Sequence, residues 1–175
     1  KKGKVIRMFR KMRRTKQELS KAECEKILTQ ATSGVLAVAG DDGYPYAVPL
    51  SYLYEDGKIY FHVAKSGHKI DAITRDNKVS FCVIGQDLVV PEKFTTYYRS
   101  VIAFGRARIL TDDTERMEAL TKLAIRYSPD DEVGRNKEIE KDFANVCMIE
   151  IAVDHMTGKE SKYLAMAREK SLEEG

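Results

Sequence analysis

The chain has 175 residues, of which 43% are hydrophobic and 33% are charged, a composition typical of a single soluble globular domain. Its formal net charge is +3, but nine of the 30 Lys and Arg residues lie within residues 1–16. The rest of the chain carries 21 basic against 27 acidic side chains, a net charge of −6. A nucleic-acid-binding domain usually has a basic face on its folded part, so nucleic acid is not an expected partner.

The three cysteines, Cys24, Cys82 and Cys147, are widely spaced and show neither the pattern of a disulfide framework nor that of a zinc site. The sequence has no run of about 18 apolar residues to span a bilayer, and no apolar stretch follows the basic N-terminus as a secretory signal requires. We therefore expect a cytoplasmic protein with no membrane contact and no bound metal. Residues 1–16 are interpreted as a basic N-terminal arm, and residues 1–7, ahead of Met8, as an artificial or upstream extension.

The predicted elements begin with a short helix after Ser20, where Ser20-Lys-Ala-Glu23 has the form of a capping box. Three strands follow, separated by the turn signals Asp41-Asp42-Gly43 and Asp56-Gly57. Their predicted ranges are residues 33–40, 46–54 and 58–64. Because only a few residues join them, the three strands are expected to form an antiparallel meander.

In the second half, a short helix is predicted around residues 68–75 and the clearest helix over residues 112–127. Three more strands are predicted, over residues 78–84, 100–110 and 146–153, and Gly105 in the second of them indicates a bulge or a close backbone approach. The polar segment 130–145 is expected to be a loop with a helical turn. About six strands with tight turns predict a mainly β fold, an antiparallel barrel with peripheral helices over residues 17–160, followed by a C-terminal tail over residues 161–175.

An unusual charge pattern occurs where the strand ending at Ala64 runs into the helix at His68. The positive end of a helix dipole favours acidic residues in the first turn, but Lys65, His68 and Lys69 lie there instead. A bound phosphate would resolve this conflict, because free N–H groups, a small Ser66-Gly67 entry and cationic side chains together attract an anion. A solvated, lysine-rich turn is the alternative interpretation. We call residues 65–69 the basic turn.

Pro49 lies inside an otherwise good strand pattern, Tyr44-Pro-Tyr-Ala-Val-Pro-Leu-Ser51. Proline lacks a backbone N–H, so this strand is expected at a sheet edge or is distorted there. Unpaired backbone groups beside the proline could bind the polar edge of a planar ligand. A proline that protects an edge strand from aggregation explains the same pattern.

Taken together, Tyr46-Ala-Val-Pro-Leu-Ser51 and His62-Val-Ala-Lys-Ser-Gly-His-Lys69 resemble the flavin-binding split barrel of the pyridoxamine 5′-phosphate oxidase-related proteins. Two later segments match as well, Arg99-Ser-Val-Ile-Ala-Phe-Gly-Arg-Ala107 and His155-Met-Thr-Gly-Lys159, so that the resemblance covers residues 8–160. The branch that the chain resembles most is that of the nitroimidazole-resistance-like proteins.

The resemblance implies a homodimer with two FMN sites at the subunit interface, each built from both chains. It also implies which residues bind the cofactor: Val48, Pro49, Leu50 and Ser51 at the isoalloxazine ring, His62, Val63 and Ala64 beside the ribityl chain and phosphate, Lys65, Ser66, Gly67, His68 and Lys69 at the phosphate, and Arg99 and Ser100, often from the partner subunit, on the long strand. No catalytic residue is assigned, because the flavin itself supplies the redox chemistry.

The function implied is that of an FMN-dependent oxidoreductase acting on a small molecule, such as a nitroaromatic compound, with a nicotinamide as electron donor. Two features depart from the oxidase that makes pyridoxal phosphate: Ser100 stands where that enzyme has glutamine, and the chain contains no Trp. Pyridoxamine phosphate oxidation is therefore not expected. The alternatives are binding of the deazaflavin F420 in the same barrel and binding of haem, for which His62 or His155 is the candidate ligand.

Overall fold

The computed structural model of the protein describes residues 9–173, so the predicted extension at residues 1–7 lies outside the described part. The described part contains eight strands: β1 (Glu18–Leu19), β2 (Gly34–Ala39), β3 (Pro45–Leu50), β4 (Leu53–Glu55), β5 (Lys58–Ala64), β6 (Lys78–Val90), β7 (Thr95–Ile109) and β8 (Val146–Glu160). It also contains five α-helices: α1 (Lys21–Gln30), α2 (His68–Arg75), α3 (Asp113–Tyr127), α4 (Glu132–Asp142) and α5 (Lys162–Glu173).

The strands form one antiparallel sheet that closes into a barrel. Hydrogen bonding follows the order β3-β2-β6-β7-β8-β5-β4, and the short β1 pairs with β8. The two strands at the ends of this order, β3 and β4, are joined by only Ser51 and Tyr52. Because so short a link cannot bridge the opposite edges of a flat sheet, the sheet curls until these edges meet. The predicted mainly β fold, an antiparallel barrel with peripheral helices, is confirmed.

The predicted three-strand meander is wrong at its second connection. β2 and β3 form the expected hairpin, but the predicted strand 46–54 is broken at Ser51-Tyr52, after which β4 pairs with β5 at the other end of the sheet. The side chain of Tyr52 is fully buried, and its hydroxyl donates to the carbonyl of Leu28 at 2.6 Å. Its backbone N–H donates to the hydroxyl of Tyr127 at 2.9 Å. These contacts from α1 and α3 hold the chain where it passes from one sheet edge to the other.

The hairpin of β6 and β7 is longer than predicted and extends beyond the barrel. β2 pairs with β6 only as far as Cys82, and β8 pairs with β7 only from Arg99 onward. Beyond these points the two strands pair with each other alone, and we call residues 86–98 the ribbon. Phe94 at its tip is 99% exposed. A two-stranded ribbon is marginally stable by itself in water, so a further contact is expected to support it.

The predicted bulge at Gly105 is present. The register between β7 and β8 shifts between Phe104 and Gly105, and a Cβ atom at Gly105 would collide with the carbonyl oxygen of Ala152. Glycine is therefore required there because the neighbouring backbone approaches so closely. The shift bends β7 and β8 locally, as a bulge does in an antiparallel pair.

Apolar burial is divided between the barrel interior and a smaller cluster outside it. Alternate residues of the strands point inward, and Leu36, Phe61 and Phe81 are fully buried there. The smaller cluster lies between β8 and the pair α3 and α4, and includes Leu123 and Met148. This second layer fixes the helices on one side of the barrel.

The helices differ in how well their sequences predict them. The capping box of α1 is confirmed, since the Ser20 hydroxyl accepts from the N–H of Glu23 and the Glu23 carboxylate accepts from the N–H of Ser20. α4 replaces the expected loop, and α5 occupies most of the predicted C-terminal tail. Each of these two buries a single residue, Ile139 in α4 and Ala165 in α5, so their sequences have almost no apolar periodicity to indicate a helix.

Candidate functional site

The basic turn connects the end of β5 to the start of α2. Lys65, Ser66 and Gly67 are exposed, whereas His68 and Lys69 are half-buried. Gly67 has a φ of 124°, which favours glycine, and no side chain of the described residues caps this helix end. The N–H groups of the first turn are therefore available to an external acceptor.

The imidazole of His68 is held between a ring and a carboxylate. It stacks on the ring of Tyr46 in β3, with centroids 4.1 Å apart, and its Nε2 lies 3.6 Å from Oδ2 of Asp41 in the turn between β2 and β3. Nε2 is buried and has no hydrogen-bond partner among the described residues. Arg75 donates to Oδ1 of Asp41 at 3.2 Å and also to two carbonyl groups beside it. The side chain of His68 thus ties the basic turn to the β2–β3 hairpin.

Asp41, Tyr46 and Arg75 were not among the predicted site residues. Tyr46 was part of the matching strand and Asp41 part of a turn signal, but their spacing along the chain does not place them beside His68. The contact arises from the path of the chain after β5. β5 lies near one end of the sheet order, and the helix that follows it, α2, packs against β2 near the other end. Such an approach between distant segments has no local signal in the sequence.

Strand β3 presents its predicted residues on two different sides. The side chains of Val48 and Leu50 are half-buried and pack against the barrel core, whereas Pro49 and the following Ser51 are exposed. The stacking of Tyr46 on His68 brings this strand next to the basic turn. The two sequence motifs that carry the resemblance are therefore neighbours in the fold.

His62, Val63 and Ala64 occupy the last three positions of β5, immediately before the basic turn. Val63 is buried in the core, whereas His62 and Ala64 are exposed. Because side chains alternate along a strand, the side chains of His62 and Ala64 point away from the barrel interior, and Val63 could offer a ligand only its backbone.

Arg99 and Ser100 lie at the base of the ribbon, away from the basic turn. The first residue of β8, Val146, pairs with Ala64, while Lys159 near its other end pairs with Ser100. The intervening residues span about 40 Å along an extended strand. One chain by itself does not bring Arg99 and Ser100 into contact with the other predicted site residues.

Arg99 has partners within its own chain. Its Nε donates to Oε2 of Glu160 at 3.1 Å, and Nε of Arg168 lies 2.8 Å from the other carboxylate oxygen. The side chain of Glu160 is completely buried. This cluster fastens α5 to β7 and β8, so Arg99 contributes to the fold whether or not it also approaches a ligand.

One side of β2, β3, β6 and β7 is turned away from the barrel interior, and its accessible surface is mostly apolar. We call this side the outward face; its residues include Val35, Ala47, Pro49, Cys82, Ile84, Ser100 and Ile102. Ile84 leaves 62% of its surface in water. Contiguous apolar surface of this kind is typical of an interaction site.

A groove of about 960 Å³ lies at one end of the outward face, next to the turn between β2 and β3. The ring of Phe9 forms one of its walls and stacks on His155, with centroids 4.6 Å apart. Phe104 lines the groove, and the ion pair of Arg106 with Asp154, at 2.8 Å, also borders it. The groove is large enough for a small-molecule ligand or a segment of another chain.

A buried charged network lies on the other side of the barrel. The side chain of Glu150, 4% exposed, accepts hydrogen bonds from Arg108, Lys58 and Tyr60. Burial alone would raise the pKa of Glu150, but the three hydrogen bonds outweigh it and hold that pKa below its ordinary value. Burial and the neighbouring charge of Glu150 raise the pKa of Tyr60 to about 12. Neither group changes its protonation near neutral pH, so the network is structural.

The cysteines do not provide a nucleophile or a metal site. Burial raises the pKa of the Cys24 thiol to about 11 and also raises the pKa values of Cys82 and Cys147. Protonated thiols are poor nucleophiles. Within residues 9–173, no group of three or more His, Cys, Asp or Glu side chains is arranged to hold a metal ion.

In that same part of the chain, no helix has the length and apolar character needed to cross a membrane.

The residues around the basic turn fit a planar ligand that carries a phosphate. Lys65 and Lys69 form no ion pair with any residue of the described chain, so their charges are not neutralised by a neighbouring carboxylate. The first turn of α2 adds free N–H groups, and the exposed part of β3 adds backbone groups beside them. An anion and the polar edge of a ring could be bound side by side there.

Comparisons with known proteins agree with this arrangement. The family model described as pyridoxamine 5′-phosphate oxidase matches residues 20–160. The solved structure of a candidate 5-nitroimidazole antibiotic resistance protein from Bacteroides thetaiotaomicron is 26% identical, with a TM-score of 0.69 over 82% of this chain and 86% of that one. An FAD-binding protein from Mesorhizobium loti is 28% identical, with a TM-score of 0.62 over 83% of this chain and 98% of that one.

The same fold is found in an FAD- and haem-binding protein from Mycobacterium smegmatis, which is 22% identical with a TM-score of 0.68 over 84% of this chain and 74% of that one. No curated protein matches the chain significantly. The family match extends from the cap of α1 to the end of β8 and includes β3, the basic turn and the long strand β7. The chain therefore belongs to the pyridoxamine 5′-phosphate oxidase family, whose split-barrel fold it has.

Proposed function

We propose that the protein is an FMN-binding oxidoreductase that acts on a small molecule, with reduction of a nitroaromatic compound by a nicotinamide donor as the first reaction to test. The basic turn is the observation that carries this proposal. Its uncapped helix end and the side chains of Lys65 and Lys69 offer one phosphate group several donors and positive charges. FMN ends in a phosphate monoester, which matches a compact cradle of this kind. The relatives named as flavin-binding proteins support a flavin in the same barrel.

In this reaction, the role of the protein is to bind and orient the cofactor. Bound flavin supplies hydride or one-electron transfer. Lys65, Lys69 and the first turn of α2 neutralise the phosphate, while His68 holds the turn against the β2–β3 hairpin through Tyr46 and Asp41. The backbone beside Pro49 receives the ring edge. No proton-transfer residue is assigned.

A homodimer with two shared flavin sites is part of the proposal. It is supported by the position of Ser100, which lies on the outward face at a distance from the basic turn of its own chain. In a two-fold symmetric pair of barrels packed through the outward face, residues from one end of each face meet the other end of the partner's face. Ser100 and the ribbon of one copy would then lie over the site of the other.

A cytoplasmic location is also proposed, since Cys24, Cys82 and Cys147 are free thiols.

Release and mass measurement of the cofactor test this proposal most directly. We expect the purified protein to be yellow and to release FMN on heating, whereas FAD or F420 would have a different mass. A colourless protein that gains neither flavin absorbance nor thermal stability when FMN is added would contradict the proposal. A Soret band on addition of haem, abolished by replacing His62 or His155, would favour haem binding instead.

The phosphate cradle can be tested at Lys69. Lys69→Ala removes a charge-assisted contact, and we expect FMN affinity to fall by about 1–3 kcal/mol. Lys137→Ala is the matched control, because Lys137 is an exposed lysine on α4, outside the basic turn. Fluorescence titration with FMN measures both variants. Equal affinity in Lys69→Ala and Lys137→Ala would remove Lys69 from the site.

A further inference from the structure

The tip of the ribbon carries an aromatic side chain that is unfavourable in the single chain for two reasons. The side chain of Phe94 is 99% exposed to water. Its backbone lies in the left-handed region, with φ of 49° and ψ of 44°, which glycine adopts freely and a bulky residue rarely does. Glycine at this position would remove both the backbone strain and the exposed ring. Because aromatic residues are enriched where proteins contact one another, Phe94 is expected to make a contact with another molecule.

The groove beside the turn between β2 and β3 is suited to receive an aromatic ring. Its walls include the rings of Phe9 and Phe104, whose centroids are 5.5 Å apart with an interplanar angle of 37°. A third ring can pack against this pair in the same tilted way. Ala37 and Val79 add aliphatic surface, and the volume of about 960 Å³ leaves room for further residues of a tip.

The charges beside the tip and beside the groove are complementary. Glu92 lies two residues before Phe94, Lys78 lines the groove, and the side chains of Glu92 and Lys78 are both exposed. Among the described residues, neither of these two side chains forms an ion pair. Lys93, the cation of the tip, donates to the hydroxyl of Tyr97 at 2.9 Å and is thereby directed back along the ribbon. The tip therefore offers an unpaired negative charge, and the groove offers an unpaired positive one.

The tip and the groove lie on opposite sides of Ile84 at equal distances. β6 runs from Lys78 at the groove, through Ile84, to Val90 just before the tip. Six residue steps separate Ile84 from each of these two residues, which is about 20 Å in either direction along an extended strand. A two-fold axis through the outward face at Ile84 would therefore place each tip over the groove of the other copy. Within one chain the tip and the groove are about 40 Å apart, so a ribbon does not reach its own groove.

We propose that the tip of each ribbon docks in the groove of a second copy of this chain. The ring of Phe94 packs against Phe9 and Phe104. The carboxylate of Glu92 lies beside Lys78. This inference rests on the homodimer in the proposed function, and it adds the contact that sets how far the two copies are shifted along each other. Docking also supplies the support that a two-stranded ribbon needs, and the cofactor takes no part in it.

An exchange of charges tests the docking. Glu92→Lys and Lys78→Glu each bring like charges together twice in the dimer, and we expect the dissociation constant measured by sedimentation velocity to rise at least about tenfold. The double variant Glu92→Lys with Lys78→Glu should return to within about threefold of the parent. Glu92→Lys with Lys137→Glu is the matched control, because Lys137 is an exposed lysine on α4, and it should stay as weak as Glu92→Lys alone. An unchanged dissociation constant in both single variants, or no recovery in the double variant, would overturn the proposal.

Photochemical cross-linking locates the tip directly. With p-benzoylphenylalanine in place of Phe94, irradiation should join two chains, and mass spectrometry should find the cross-link on peptides that line the groove. The same group in place of Val133, which is 81% exposed on α4, is the control and should not label the groove. A dimeric protein that cross-links from position 94 to other peptides, or not at all, would overturn the docking while leaving the proposed dimer in place. A parent protein that stays monomeric at every concentration would overturn the dimer and this inference together, whereas FMN binding by that monomer would leave the proposed cofactor in place.

Discussion

The proposed dimer makes a quantitative prediction at Ile84, an apolar side chain on the outward face beside the ribbon. In the single chain it leaves 62% of its surface in water. Complete burial of an isoleucine side chain is worth about 1.5–3 kcal/mol, so covering the exposed part contributes about 1–2 kcal/mol in each copy. A two-fold interface buries the residue twice, which brings its contribution to about 2–4 kcal/mol for each dimer.

Ile84→Glu removes this contribution and places two carboxylates in an apolar contact, where the loss of hydration opposes association further. We expect the dissociation constant of the dimer to rise by at least about a hundredfold. Sedimentation velocity over a series of protein concentrations measures this change, and far-UV circular dichroism checks that the variant is folded. Val133→Glu is the matched control, since Val133 is 81% exposed on α4 and lies away from the outward face.

A dissociation constant of Ile84→Glu that equals that of Val133→Glu would refute the placement of the interface. Flavin affinity gives a separate readout, because a site built from both copies is lost when they separate. Ile84→Glu protein that is monomeric and still binds FMN as tightly as the parent would refute the shared site while leaving the interface in place.

Two further predictions concern the buried carboxylates. Glu160→Gln removes the buried charge that Arg99 and Arg168 share, and we expect the free energy of unfolding, measured with urea, to fall by about 3–5 kcal/mol. Asp154→Asn at the exposed pair with Arg106 is the control, and it should lower the free energy of unfolding by less than about 1 kcal/mol. Equal losses in the two variants would contradict this prediction. The pKa of Glu150 is lowered in the folded protein, so its contribution is complete above its unfolded pKa of about 4.3 and is lost as the pH falls through its folded pKa. Glu150→Gln should therefore be less stable than the parent at pH 7, and thermal melts should show the difference shrinking in acid; a difference that grows as the pH falls would show that the sign is wrong.

Elements whose sequence signals are local could be predicted well. β5 has the predicted bounds because Ile59, Phe61 and Val63 alternate with exposed or half-buried residues and the turn at Asp56-Gly57 marks where the strand begins. The prediction of one continuous strand over residues 46–54 is wrong for the opposite reason. Tyr52 has good strand propensity, and only its contacts with Leu28 and Tyr127, which are distant in sequence, turn the chain there.

The candidate site divides in the same way. The charges of Lys65, His68 and Lys69 conflict with a helix N-terminus within five residues, so the basic turn could be recognised without a fold. The contact of His68 with Asp41 and Tyr46 could not, because it depends on how α2 lies across the barrel. The length of β6 and β7 was also underestimated. In the ribbon these strands have no buried side, so their sequences lack the alternation of apolar and polar residues that indicates a strand.

The closure of the barrel through Ser51-Tyr52 limits where this chain can change its length. Residues inserted at this link would separate the two edges that it holds together and so alter the whole sheet, whereas residues added at the tip of the ribbon would leave every strand of the barrel in register. A cut in the chain at Ser51 should likewise be more damaging than a cut at Phe94. Changes in chain length are therefore easiest to accommodate at the ribbon.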